Sequence, residues 1–219
     1  PAGAAYFKRD IAKFYQVLIN RVHKAGVRVV LNTEVTPAYV REAAPDVLFV
    51  AIGSEETLPP IPGIRGENVV MAIDAELHPE KLGKKVVIMG GGLVGSEAAV
   101  AFHAEGRECA IIEMKDEVAG DVNMLYRGGL MPEIEKAAAI YTNTVVKEIT
   151  DSGVTVERAG EQFAIEADSV VCALGFHSPW DRVDALCDEV VESYIVGDCN
   201  QVAKIFEAVN DAFYAAMRV

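Results

Sequence analysis

The residues best suited by type and spacing to do chemistry lie between Lys85 and Glu113. Gly90, Gly92 and Gly95 fall in the G-x-G-x-x-G spacing, within the run Gly90-Gly91-Gly92-Leu93-Val94-Gly95. That spacing suits a pyrophosphate. Gly90 permits a tight turn, Gly92 lets the backbone approach the phosphates, and Gly95 lets a helix lie close to a strand. The free amides and the dipole at a helix N-terminus favour the phosphate charge. Glu113, at the tip of the next strand, is placed to accept hydrogen bonds from an adenosine ribose diol. Its carboxylate repels a 2′-phosphate, so NAD is favoured over NADP, with Lys115 nearby working slightly against that preference.

These residues need elements to position them, and the sequence supplies those in order. Val86 to Met89 is a short apolar run rich in β-branched residues, as expected of a strand buried on both faces. Ser96 to Glu105 reads as a helix, with Ala98, Ala99, Phe102 and His103 on one face and Gly106 as its stop. Ala110 to Ile112 reads as a second strand, and Glu113 follows 18 residues after Gly95. Strand, turn, helix, strand and acidic tip together give the fingerprint its confirming context. The plainer alternative is a glycine-rich turn in an α/β fold that holds nothing.

Composition bounds the remaining possibilities. The chain has 219 residues, enough for one large or two small domains, and is 51% hydrophobic. Its net charge is −13 and it has no Lys/Arg-rich block, which argues against nucleic-acid binding. No apolar run has membrane-spanning length and no secretory signal is visible, so a cytoplasmic compartment is expected. The first residue is Pro1, as expected of a processed or excised piece. Cys109 and Cys172 fall inside strands and read as core, while Cys187 and Cys199 make no Cys-x-x-Cys pair. His23, His78, His103 and His177 have no ligand spacing, so no metal site is expected.

In chain order, residues 4–25 read as an amphipathic helix through Phe7, Ile11, Phe14, Leu18 and Val22, ended by Gly26. Val27 to Leu31 reads as a strand, Thr36-Pro37 opens a short helix, and residues 46–53 form a buried strand ending at Gly53. A Pro-rich connector covers 58–63, and Asn68 to Ala72 is a further short strand. Residues 140–142 and 145–149 read as strands, and 154–158 with 162–165 as an antiparallel hairpin. Residues 168–175 repeat the buried strand ending in Ala-x-Gly, here Ala173-Leu174-Gly175, and 194–198 ends in Gly197-Asp198. Residues 201–218 form a last helix. The two Ala-x-Gly strand ends suggest two related domains, only one of which owns a glycine fingerprint.

With these segments in place the chain resembles the two-dinucleotide-binding flavoprotein superfamily. Within it the chain is most similar to the C-terminal region of NADH:flavin oxidoreductases related to 2,4-dienoyl-CoA reductase, enoate reductase and trimethylamine dehydrogenase. The resemblance is carried by Tyr6–Ile11, Val29–Val35, Pro45–Gly53, Val86–Glu97, Val170–Phe176 and Ile195–Cys199. It implies an α/β fold: a Rossmann-like NAD domain, a mostly parallel sheet plus a β-meander, inserted into an incomplete FAD-type three-layer domain. The expected division is 1–76 and 186–219 for the FAD-type part and 77–185 for the NAD domain.

The resemblance further implies that Asp198, after Gly197, bonds the flavin's ribityl or phosphate region. Gly53, Ala173 and Gly175 would close strands near the cofactors, and Glu97 would lie on the nicotinamide side. Taken alone, Glu97 reads as a solvated helix-face acid and Asp198 as a turn residue. Ile52 departs from the Thr usual in the family. The resemblance makes NAD(H) the bound cofactor and FAD a cofactor of the full-length protein, not retained here. FMN, an iron–sulfur cluster and a catalytic barrel would belong to a missing N-terminal region. The implied function is an NADH-binding electron-input fragment of an enoate- or dienoyl-type reductase, with no catalytic residue assigned. The alternatives are a module of a disulfide reductase or glutamate-synthase-like branch, or a non-catalytic nucleotide-binding domain.

Overall fold

A computed structural model of the chain describes residues 8–219. Phe7 and Tyr6, which the sequence reading placed in the first helix and the resembling segments, lie outside the described residues. The elements are α1 (Arg9–Lys24), α2 (Pro37–Ala43), β1 (Leu48–Val50), β2 (Glu55–Glu56), β3 (Val69–Met71), α3 (Ala72–Leu77), β4 (Lys85–Met89), α4 (Leu93–Ala104) and β5 (Glu108–Ile112). They continue as α5 (Met124–Ala137), β6 (Ala138–Tyr141), β7 (Thr144–Thr150), β8 (Gly153–Arg158), β9 (Glu161–Glu166), β10 (Ser169–Cys172), β11 (Phe176–His177), α6 (Trp180–Cys187), β12 (Ser193–Ile195) and α7 (Ile205–Ala216).

The chain divides into two compact units. The first contains Leu58–Gly175 with the described residues up to Val27, and the second contains Arg28–Thr57 with Phe176–Val219. The first unit is built on a five-stranded sheet in the order β3-β10-β4-β5-β6, all parallel. Parallel strands need covering on both faces. Val86, Val87, Ile88 and Met89 of β4 are each exposed by 1% or less. The side-chain period of two sends Val86 and Ile88 to one face, where Ala98, Ala99 and Phe102 of α4 and Ile134 of α5 cover them. Val87 and Met89 face the other way, onto Val154, Val156 and Ile149 of the antiparallel meander β7-β8-β9.

Most of the 77–185 span read from the sequence falls in this unit. β3 hydrogen-bonds along β10 with Val69 opposite Val170, which joins the end of the connector to this sheet. The helix of the fingerprint starts earlier than expected, at Leu93 rather than Ser96.

The second unit is smaller. β1 pairs with β12 in parallel, and β2 pairs with β11 antiparallel. Val40, Val50, Val183, Leu186 and Cys199 form its core. Thr36 caps α2 by accepting from the Tyr39 amide at 3.2 Å, with Pro37 in the first turn, as its sequence required. Arg41 grips Glu189 through Nε and Nη2 at 2.8 and 2.6 Å.

One expected strand does not form. Among the described residues Val27 to Leu31 has no ladder partner, and Val29, Val30 and Leu31 are exposed by 46, 49 and 76%. β-branched composition favours an extended backbone, but a strand exists only where another strand accepts its hydrogen bonds. The apolar stripes expected on the first and last helices are likewise open: α1 buries none of its residues, and α7 buries only Ala215.

Phe102 is the largest side chain buried to within 2% in the sheet unit. Phe102→Ala is expected to lower stability by about 3–5 kcal/mol, read as a shifted urea midpoint in far-UV circular dichroism. A shift worth under about 1 kcal/mol would contradict the packing described.

Candidate functional site

At the end of β4 the chain turns on bare backbone. Gly90 has φ +100°, and its amide donates to Ile112 O at 2.9 Å. A Cβ at Gly90 would lie 2.3 Å from Ala173 O. A Cβ at Gly95 would lie 2.0 Å from Gly90 O, so the helix could not approach the strand with any side chain there. Gly92 differs: the nearest atom to a Cβ built there is Asp121 Oδ1, 3.9 Å away. Gly90 and Gly95 are therefore required by the fold, whereas a Cβ at Gly92 would meet only Asp121 Oδ1 at ordinary van der Waals distance.

Gly92 is also the N-cap of α4 and, having no side chain, makes no capping hydrogen bond of its own. An anion at this end of the helix is favoured by both the first-turn amides and the dipole. Leu93 and Val94 are half-buried against the core, so this turn offers backbone rather than side chains. Ser96, fully buried, donates its hydroxyl to Gly91 O at 3.1 Å.

Glu113 sits at the tip of β5 beside this turn, where the sequence placed it. The residue is only 8% exposed, and its carboxylate already holds two main-chain donors: Oε2 accepts from the Gly91 amide at 2.7 Å, and Oε1 from the Lys115 amide at 2.8 Å. Glu97 departs from the solvated-acid reading. It is 3% exposed, and its carboxylate accepts from the Tyr126 hydroxyl at 2.7 Å and from Lys8 Nζ. A buried carboxylate needs such donors. Burial, and then the Glu97 carboxylate as hydrogen-bond partner, push the Tyr126 phenol well above its ordinary value. Tyr126 and Lys8 lie 29 and 89 residues from Glu97, and no local spacing could have disclosed them.

Ala173 and Gly175, at the end of β10, fall in the same unit as the turn, and the Ala173 amide donates to Met89 O at 2.9 Å. Gly175 has φ +92° with nothing within 4 Å of a built Cβ. Gly53, Gly197 and Asp198 lie in the second unit. Asp198 Oδ2 accepts from the Ser54 hydroxyl at 3.4 Å, and Oδ1 accepts from the Ala203 amide at 3.3 Å. Gly53 and Gly197 both have positive φ, +75° and +71°. The residues read as flavin-side are thus gathered after the parallel pair β1–β12, and Asp198 braces its own turn there. Among the described residues of this unit, no glycine-rich turn leads into a helix.

Cys109 and Cys172 are buried core residues, as expected, and burial pushes the Cys109 thiol up to about 11. Among the described residues no group of three or more His, Cys, Asp or Glu could hold a metal ion. No helix there is long and apolar enough to cross a membrane.

A parallel sheet, a side-chain-free turn into a helix, and an antiparallel meander closing the second face define a pyridine-nucleotide-binding module of the Rossmann type. The family model for pyridine nucleotide-disulphide oxidoreductases matches residues 8–212, and the chain belongs to that family. It is similar to the bilirubin reductase of Mediterraneibacter gnavus, 31% identical over 95% of this chain and 33% of the relative. It is also similar to the cinnamate reductase of Clostridium sporogenes, 28% identical over all of this chain and 33% of the relative. The solved structure of a 2-naphthoyl-CoA reductase with 2-naphthoyl-CoA superimposes with a TM-score of 0.91 at 31% identity, covering 97% of this chain and 33% of that one. The chain therefore spans about a third of the length of these relatives.

Tyr126→Phe removes one donor from buried Glu97. Because Tyr126 is half-exposed, the expected cost is about 1 kcal/mol, measured by urea unfolding. An unchanged midpoint would show that the carboxylate does not depend on that bond.

Proposed function

We propose that this chain binds NADH on the Gly90–Gly95 turn and forms the electron-input end of a flavin-dependent reductase of activated C=C bonds. The bare backbone of Gly92 at the start of α4, with nothing nearer than 3.9 Å to a Cβ built there, supports this reading. When bound, the nicotinamide supplies a hydride and the flavin accepts it. The chain's own residues bind and orient. The first-turn amides of α4 take the pyrophosphate, and the Gly90–Gly95 contact keeps the turn rigid beneath it. Glu113 lies at the adenosine side and disfavours a 2′-phosphate by its charge. Glu97, held by Tyr126 and Lys8, faces the nicotinamide side. The cinnamate and bilirubin reductases among the relatives, and the 2-naphthoyl-CoA reductase, support an enoate-type acceptor.

The second unit supplies one edge of a flavin site through Gly53, Gly197 and Asp198. It carries no phosphate turn of its own among the described residues. FAD is therefore held only when further chain completes that site, and a catalytic barrel with FMN and an iron–sulfur cluster would lie in that further chain. The 219-residue chain is expected to purify colourless, and a stoichiometric yellow flavin would overturn this part of the proposal.

The nucleotide assignment is tested by contrasting two glycines. Gly92→Ala is expected to leave the thermal midpoint within a few degrees while NADH affinity, read by fluorescence titration, falls at least tenfold. Gly95→Ala, whose Cβ meets Gly90 O, is expected to lose both stability and binding. NADPH titrated alongside should bind more weakly than NADH. Unchanged NADH binding in Gly92→Ala would remove the turn from the site.

A further inference from the structure

We infer that Glu113 is a positioning residue for the phosphate turn, acting through the amide of Gly91, and that grasping the ribose diol is not its main task. The inference deepens the dinucleotide reading above and rests on it. Both carboxylate oxygens are already engaged by main chain, Oε2 by Gly91 N at 2.7 Å and Oε1 by Lys115 N at 2.8 Å, in a side chain 8% exposed.

Gly91 is held from its other side as well. Its carbonyl accepts from the Ala119 amide at 2.7 Å and from the Ser96 hydroxyl at 3.1 Å. A Cβ at Gly91 would lie 2.7 Å from Val118 Cγ1 and 3.1 Å from Glu113 Cβ. Gly91 occupies a variable position of the fingerprint, yet the loop after β5 leaves no room for a side chain there. Ala119, which clips that loop to the turn, is fully buried and takes φ +53°, a conformation an alanine adopts only when its surroundings fix it. Arg127 steadies the same loop, donating to Glu117 Oε2 at 2.6 Å and to Val118 O at 3.1 Å.

Three consecutive glycines are a flexible segment, because glycine loses more backbone freedom on ordering than any other residue. A turn that receives phosphates must be ordered beforehand if binding is not to bear that loss. Glu113 supplies the order. It turns the Gly91 N–H away from the ligand and leaves the amides at the start of α4 to take the phosphate. A charge-assisted hydrogen bond inside a buried site is strong enough for the task.

The sign of one substitution separates the alternatives. Glu113→Gln removes a negative charge beside an anion site. If charge were its main effect, phosphate ligands would bind more tightly. If Glu113 grasps the diol, only ligands with a diol would suffer. If it positions the turn, every phosphate ligand weakens.

The experiment is calorimetric titration of the full chain with ADP and with 2′,3′-dideoxy-ADP, for wild type, Glu113→Gln and Glu113→Asp. The expected result is that Gln weakens both nucleotides by the same factor, roughly tenfold, with the fold retained by circular dichroism. Glu113→Asp keeps the charge but is one methylene too short to span both amides, so it should weaken 2′,3′-dideoxy-ADP too. If the Gln variant fails to fold, the Asp variant carries the test. Loss confined to ADP, unchanged binding of 2′,3′-dideoxy-ADP, or tighter binding of both would each overturn the inference and leave the dinucleotide reading standing. A wild-type chain that bound neither nucleotide would overturn that reading itself.

Discussion

The nucleotide unit depends on a single close approach. The backbone of α4 lies against the end of β4 so tightly that a Cβ at Gly95 would stand 2.0 Å from Gly90 O. Contact at that range is possible only between bare main chains, and it sets the direction of the helix N-terminus relative to the sheet. The sheet makes the contact rigid. Residues 86–89 of β4 are buried between α4 and α5 on one face and the β7-β8-β9 meander on the other. Loosening any of these layers would move the first-turn amides that the turn presents.

Around that contact the chain buries two carboxylates, each supplied with donors. Glu113 is satisfied by main-chain amides, which ties the turn to the loop after β5. Glu97 is satisfied by the side chains of Tyr126 and Lys8, which ties α4 to the start of α5 and to the segment before α1. Burying either charge without partners would cost more than the unit could tolerate. Each acid therefore acts as a strut as well as a charge, and the local negative field comes with a fixed geometry.

The second unit has a different character. Its two two-stranded pairs and five-residue buried cluster hold a few loops in place. Val29, Val30 and Leu31 of this unit stay exposed and form no ladder among the described residues. A two-stranded sheet offers little surface to cover such groups. This chain spans about a third of the length of the bilirubin, cinnamate and 2-naphthoyl-CoA reductases it resembles.

The sequence by itself determined the glycine turn, the buried β4 and the antiparallel hairpin, because each rests on local rules: backbone freedom, two-residue periodicity and turn chemistry. It also placed Glu113 at the tip of β5, since strand and helix lengths fix that reach. Only the tertiary structure decided that Glu113 points its carboxylate at Gly91. Glu97, a helix-face acid by its neighbours, is buried because α5 brings Tyr126 over it. Val27 to Leu31 reads as a strand by composition and fails to become one, because a strand is a property of two segments. β3, which precedes the fingerprint, joins its sheet because β10 pairs with it, Val69 opposite Val170, from the far end of the unit. Local rules fix what a segment can be, and long-range contacts decide which of those forms lowers the free energy.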